Sequence, residues 1–427
     1  MMPITLLHPM FYEPVKELQR LSTKAGVIME EKTGKVIWQR DPDTPRYPAS
    51  TTKIMTTLLM LENLKPDDVI VAPSDVKNVR ESSMGLKPGE RVRVKNMAYA
   101  LMLRSANDGC YAVAVAMDGS VQKFAQRMNK RAAEIGCKNT HFANPNGLND
   151  KKHVTSAFDL CLMGREAMQR EDFREVVGTK RKLIDRSLNF ADRTMINKNK
   201  ILWKDAGADG IKTGWTIPAG HTYVGSAKRN ETRFISSLMN APKWQEDYMT
   251  MLNWAFNNYE TKLVRRKGVI DLTEIGGPKI SSAELQSDVY ACVKKSGDHV
   301  EEKFEKLASP LKTAKGIVIG YDVVTDGDKF VQRIPVYGEM NSGVVGFLNG
   351  SSSGSGFSRF AVFGGLAAMI VAGRYLMTRN LVSKVGMPKK MAKNNVSSRT
   401  ISTTLPTLDE SFSSADQPTT GNGSVAE

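Results

Sequence analysis

Tyr47-Pro48-Ala49-Ser50-Thr51-Thr52-Lys53-Ile54-Met55-Thr56-Thr57 is the stretch whose reading decides the fold of this chain. A serine and a lysine three residues apart share one face of a helix, and Ser50 is expected to open one. A lysine so placed holds the serine hydroxyl and takes its proton, provided its surroundings lower its own pKa. Ser-x-x-Lys also arises by chance. Here two further motifs follow in order, Ser105-Ala106-Asn107 and Lys212-Thr213-Gly214. Each has a plainer reading alone: a polar first helical turn, a loop or cap, a strand end. Their joint occurrence points to a nucleophilic site assembled from three distant segments.

The surrounding text resembles the D-alanyl-D-alanine carboxypeptidases, the low-molecular-weight penicillin-binding proteins of serine peptidase family S11. The resemblance is carried by Gly34-Lys35-Val36-Ile37, by Pro48 to Thr57, and by Ser82-Ser83-Met84-Gly85-Leu86-Lys87-Pro88-Gly89-Glu90. It continues through Leu101 to Asp108, Asn144-Pro145-Asn146-Gly147-Leu148, Asp209 to Thr216, and Ala219-Gly220. It runs from about Ala25 to about Tyr259, and more weakly to about Gly346. The motif trio itself is shared with β-lactamases.

The resemblance implies an acyl-enzyme mechanism on a terminal D-Ala-D-Ala. Ser50 would be the nucleophile and Lys53 its base, with Lys212 as a second cation that depresses the Lys53 pKa. Ser105 would relay a proton to the leaving amine, and Asn107 would hydrogen-bond the substrate backbone. Lys212 and Thr213 would face the terminal carboxylate. Gly214 would let a strand backbone approach closely. The N–H groups of Ser50 and Trp215 would form the oxyanion hole. Two positions depart from the family pattern. Ala106 stands where glycine is commoner, a change expected to be tolerated if the backbone there has negative φ. Trp215 stands where His, Tyr or Phe is usual; its bulk alters the leaving-group side and leaves its N–H intact.

Composition narrows the alternatives. Lys plus Arg 60 against Asp plus Glu 45 gives a net charge of +15. No nucleic-acid motif accompanies that charge, so anionic lipid or cell-wall polymer is the expected partner. The sequence holds five histidines and no paired metal-ligand spacing, and it implies no metal or organic cofactor. His221 is expected to pack or to lie at the surface. Cys110, Cys137, Cys161 and Cys292 are widely spaced and read as buried free thiols.

The fold class implied is α+β, a penicillin-binding protein/β-lactamase-like transpeptidase fold with an antiparallel sheet, flanking helices and a helical subdomain. The expected organisation begins with residues 1–24, which lack a clear signal peptide; a leader encoded upstream is the simplest expectation. Residues 25–259 form the catalytic domain. It should open with a β-hairpin over 25–38 and contain helices over 97–103, 124–135 and 156–168. Strands are expected over 210–214, 223–227 and 233–239, then a closing helix over 243–259. Residues 260–348 read as a small β-rich domain, which the resemblance makes a stalk, and 349–356 as a Gly/Ser linker. Residues 357–377 read as a transmembrane or membrane-anchoring helix, although the apolar run Phe360–Gly373 is short of the ~20 residues a span needs. Residues 378–427 read as a basic, then Ser/Thr-rich disordered tail, cytoplasmic by its Lys and Arg.

The activity implied is therefore a serine-type D-Ala-D-Ala carboxypeptidase at the bacterial cell membrane, with its catalytic domain on the extracytoplasmic side. Its partners would be peptidoglycan stem peptides, β-lactam antibiotics and, through the C-terminal helix and tail, membrane lipid. Two alternatives stand beside it. One is a β-lactamase or transpeptidase of the same superfamily, the former disfavoured because no counterpart of the class A deacylating glutamate accompanies Asn144 to Gly147. The other is a catalytically inactive, membrane-tethered cell-wall binding protein.

Overall fold

The computed structural model describes residues 15–79, 81–275 and 280–340. The expected linker over 349–356, the anchoring helix over 357–377, the tail over 378–427 and much of the N-terminal segment lie outside the described residues. Among the described residues no helix is long and apolar enough to cross a membrane.

A five-stranded antiparallel sheet forms the centre. Its strands are β1 (Ala25–Glu30), β2 (Val36–Arg40), β3 (Ala208–Thr216), β4 (Gly220–Arg229) and β5 (Thr232–Met239), in the order β2-β1-β5-β4-β3. Because successive strand residues point to opposite faces, a sheet covered on both sides must be apolar at nearly every position. β1 follows that pattern, and every position of β5 is buried although Thr232, Arg233, Ser236 and Ser237 stand among its apolar residues. Val27, Met29, Val224 and Ile235 enter one core, whereas Ile28, Tyr223, Phe234 and Leu238 enter the other.

The first core is closed by helices inserted between β2 and β3. These are α1 (Lys53–Asn63), α2 (Val94–Tyr99), α3 (Asn107–Asp118), α4 (Val121–Ile135), α5 (Ala157–Met168) and α6 (Glu171–Gly178). The second core is closed by α7 (Trp244–Asn258), which buries Tyr248, Met251, Leu252 and Ala255. Sequence-legible caps set several boundaries. Ser120 accepts from the Lys123 N–H to start α4, and Ser156 accepts from the Asp159 N–H to start α5.

Two expected helices differ in detail. Ser50 does not open α1; it lies in a 3-10 turn, Ala49–Thr52, that precedes it. The segment before Ser105 is α2 followed by a π-helical stretch, Ala100–Arg104. In that wider turn the Ser105 N–H donates to the Ala100 carbonyl, and Ser105 adopts φ 66°, ψ 41°. A π-turn of this kind places a side chain that regular α-geometry would direct elsewhere.

Beyond α7 the described residues are mostly strand, with one short helix, Leu272–Ile275. β6 (Tyr259–Arg265) pairs with β9 (Val289–Lys294). A second five-stranded sheet has the order β7-β8-β12-β11-β10, built from β7 (Gly268–Val269), β8 (Ile280–Leu285), β10 (Glu301–Thr313), β11 (Gly316–Thr325) and β12 (Val331–Met340). Ala283, Leu285, Val289, Val293, Ile319 and Val336 form its own apolar cluster. One link back to the first sheet is ionic. Lys35, fully buried, donates to Asp326 and Asp328, each at 2.8 Å, and to the Cys292 carbonyl at 3.0 Å. The four cysteines are unpaired; Cys110, Cys161 and Cys292 are buried and Cys137 partly so.

Candidate active site

The three motifs converge on one cleft of about 700 Å³ whose lining includes Ser50, Ser82, Ser105, Lys198, Thr213, Gly214 and Trp215. Threonines fix the turn that carries Ser50. The hydroxyls of Thr51 and Thr222 both donate to the Pro48 carbonyl, at 2.7 and 2.8 Å. Thr52 donates to the Ala49 carbonyl at 2.8 Å, and Thr56 ties α1 to the Pro145 carbonyl at 2.6 Å. Ala49 itself has φ 50°, a left-handed conformation that costs a non-glycine residue ~1–2 kcal/mol. The turn is thus held in a strained form by its neighbours, with Ser50 left partly exposed in the cleft.

Lys53, one helical turn on, is fully buried. Its ammonium donates to Ser50 Oγ at 3.0 Å, Asn107 Oδ1 at 2.7 Å and the Asn146 carbonyl at 2.6 Å. Burial lowers its pKa from the usual 10.5 to about 8, and the charge of Lys198 adds to the shift. A base within hydrogen-bond reach of the nucleophile, with a pKa moved toward the operating pH so that roughly a tenth of molecules carry it neutral at pH 7, meets both requirements of proton abstraction. Lys212 is also buried. Its pKa is pushed well down by burial first, then by the charges of Lys53 and Lys198, and its ammonium donates to the Thr213 carbonyl at 2.9 Å. Lys198, which no motif flagged, is therefore a cation acting on both buried lysines.

Ser105 Oγ is buried and has no hydrogen-bond partner among the described residues. The next residue, Ala106, has φ −65°, so an alanine methyl is accommodated in place of glycine. Asn107 is buried at the start of α3, and its side-chain Oδ1 accepts from the Lys53 ammonium. Asp108 anchors the loop above: its carboxylate accepts from Ser83 Oγ and from the N–H groups of Met84 and Leu86. Arg186 and Glu90 form a fully buried ion pair under the same loop.

On the opposite wall, β3 is the edge strand of the central sheet. Gly214 lies so near the nucleophile turn that a Cβ there would stand 2.9 Å from the Ser50 nitrogen and 2.4 Å from Thr222 Oγ1. Any side chain would push strand and turn apart. Trp215 follows, 57% exposed and tilted against His221 across the β3–β4 pair, so His221 belongs to the cleft rim.

All eight residues expected at the site are thus brought together. Two contributors carry no motif signal of their own, Asn146 and Lys198. Asn146 acts through its carbonyl, which every residue type possesses, so only the Asn144-Pro145-Asn146-Gly147-Leu148 text marks its loop.

Comparison with known proteins agrees with this geometry. Residues 13–243 match the peptidase S11 model, described as D-alanyl-D-alanine carboxypeptidase. The chain is 31% identical to D-alanyl-D-alanine carboxypeptidase DacF of Bacillus subtilis over 76% of this chain and 87% of that protein. Among solved structures it is similar to the D-alanyl-D-alanine carboxypeptidase DacD of Francisella tularensis, with TM-score 0.55 and 28% identity over 75% of this chain and 94% of that one. It is also similar to the Streptomyces K15 DD-transpeptidase, with TM-score 0.53 and 28% identity over 58% of this chain and 99% of that one. With the motif trio assembled in one cleft and the family model matched over most of the catalytic region, the chain belongs to the D-alanyl-D-alanine carboxypeptidase family of serine peptidases, S11.

Proposed function

We propose that this enzyme removes the terminal D-alanine of peptidoglycan stem peptides through an acyl-enzyme on Ser50. The observation that carries the assignment is the Lys53 Nζ to Ser50 Oγ contact of 3.0 Å, made by a buried lysine whose pKa is about 8. Neutral Lys53 takes the Ser50 proton as Oγ bonds to the carbonyl carbon of the penultimate D-alanine. The N–H groups of Ser50 and Trp215 face the developing oxyanion. As the C–N bond breaks, Ser105 passes the proton from Lys53 to the leaving amine. Water then loses a proton to Lys53 and attacks the ester, and Ser50 recovers its hydrogen.

Lys212 and Thr213 receive the terminal carboxylate, and Asn107 bonds the substrate backbone. Lys198, Lys200, Lys204 and Lys243 line the cleft against a single Glu246, a field that favours an anionic peptide terminus. Penicillins enter the same path because their lactam places a scissile amide beside a carboxylate.

The strands beyond Tyr259 form a separate β-rich domain in this reading, supported by their own sheet and apolar cluster. Residues 357–377 anchor the chain to the bacterial membrane, with the catalytic domain outside. That placement is supported by the uncharged run Phe360–Gly373 and by the basic residues Lys384, Lys389, Lys390 and Lys393 that follow. The activity is tested by measuring D-alanine released from a peptide ending in D-Ala-D-Ala. Release by the native chain and none by Ser50→Ala is the expected result, and equal release by both would overturn the assignment.

A further inference from the structure

His153 lies outside the three motifs and reaches into the machinery from behind the nucleophile turn. It is 1% exposed. Its Nδ1 accepts from the Ala143 N–H at 3.0 Å and from the Asn144 N–H at 3.4 Å. A ring nitrogen that accepts cannot carry the proton, so the hydrogen is on Nε2. Nε2 stands 2.8 Å from Thr52 Oγ1 and donates to it. Thr52 in turn donates to the Ala49 carbonyl, so the hydroxyl is used once as acceptor and once as donor. The result is a directed chain: loop amides to His153, His153 to Thr52, Thr52 to the strained residue preceding Ser50.

The loop held at the far end of this chain is the one that supplies the Asn146 carbonyl to Lys53. Gly147 of the same loop abuts the Ala49 carbonyl. The imidazole therefore ties the turn that carries the nucleophile to the loop that fixes its base, beside the Thr56–Pro145 contact that ties α1 to the same loop.

We propose that His153 is a positioning residue for acylation: by pinning the 143–147 loop to the Ser50 turn it orients the Lys53 amine on Ser50 Oγ. Its effect falls on the chemical step, because the groups that meet the substrate carboxylate, Lys212 and Thr213, are on β3 and do not depend on the loop. A base displaced by a fraction of an ångström loses rate while binding is retained. Protonation at Nδ1 would remove the acceptor, and burial keeps the ring neutral by lowering its pKa to about 4.

This inference rests on the acyl-enzyme reading, and the test separates the two. Benzylpenicillin acylation is followed by rapid quench over a range of concentrations, giving a non-covalent dissociation constant and an acylation rate constant. His153→Phe keeps ring volume without the polar atoms; His153→Gln restores an acceptor and a donor; Thr52→Val removes the hydroxyl link. The account expects His153→Phe and Thr52→Val to slow acylation by about tenfold or more, with the dissociation constant within about threefold of native. It expects His153→Gln to recover most of the rate, and the Phe/Val double variant to be no slower than His153→Phe alone. If His153→Phe does not fold, Thr52→Val and His153→Gln decide the matter. Native acylation rates in the substituted chains, or equal loss in the Gln and Phe variants, overturn the positioning role. Failure of the native chain to acylate overturns the underlying reading instead.

Discussion

Gly147 and Ala49 are in such close contact that a Cβ on the glycine would stand 1.8 Å from the alanine carbonyl oxygen. Gly147 also has φ 90°, in the region that favours glycine. The two positions support each other: Ala49, strained at φ 50°, turns the chain so that Ser50 faces the cleft, and Gly147 provides the flat surface on which that turn rests. Gly147→Ala combines left-handed strain of ~1–2 kcal/mol with overpacking of ~1–3 kcal/mol. The expected outcome is a lowered unfolding temperature together with loss of penicillin labelling in the protein that remains folded. Labelling at the native rate would show that the contact is not needed to place Ser50.

The pH dependence of turnover follows from Lys53. Its amine must be neutral to take the Ser50 proton, and its pKa is about 8. For the free enzyme, kcat/KM should therefore rise about tenfold per pH unit on the acid side and level off above that value. A profile of kcat/KM against pH checks this. An acid limb centred near the usual histidine value, unchanged in His153→Gln, would assign the proton to another group.

His153 supplies a separate signature in stability. Its pKa falls from 6.5 to about 4 on folding, chiefly through burial, with Asp150 opposing and His141 and Lys53 adding to the shift. Between those values the unfolded chain binds a proton that the native state refuses. Stability contributed at this site is thus lost as pH drops from about 6.5 toward 4, by up to ~3 kcal/mol. Urea melts at pH 7 and pH 4.5 should show a smaller pH difference in His153→Gln than in the native chain. Equal differences would show that the ring titrates normally in place.

The buried ammonium of Lys35 makes a further prediction. It is fully enclosed between Asp326, Asp328 and the Cys292 carbonyl, joining the β2 hairpin to the strands that follow α7. Lys35→Met leaves two carboxylates without that partner, and removing one member of a buried pair costs about 3–5 kcal/mol. The additional change Asp326→Asn should recover part of the loss. Both are read from denaturant midpoints, and a Lys35→Met chain as stable as the native one would contradict the pairing.

Much of this was legible in the sequence. Ser50, Lys53, Ser105, Asn107 and Lys212 through Trp215 are recognisable because their side-chain chemistry is fixed by the reaction. The hairpin, the amphipathic α4 and the capped α5 follow from local periodicity. What escaped is long-range or carried by the backbone. The Asn146 carbonyl, the charge of Lys198 on Lys53 and the His153–Thr52 link depend on segments that meet only in the fold. The π-helical stretch at Ala100–Arg104 has the same apolar spacing as an ordinary helix, so periodicity does not reveal how it turns Ser105 inward. Glu301–Thr313 lacks apolar alternation because β10 is an edge strand, where charges and Pro310 discourage further pairing.

Intact-protein mass spectrometry with benzylpenicillin, followed by peptide mapping, tests the central claim most directly. The account predicts a single penicilloyl adduct on the peptide containing Ser50, lost in Ser50→Ala and formed far more slowly in Lys53→Met. An adduct on a different residue, or none on a folded native chain, would contradict it.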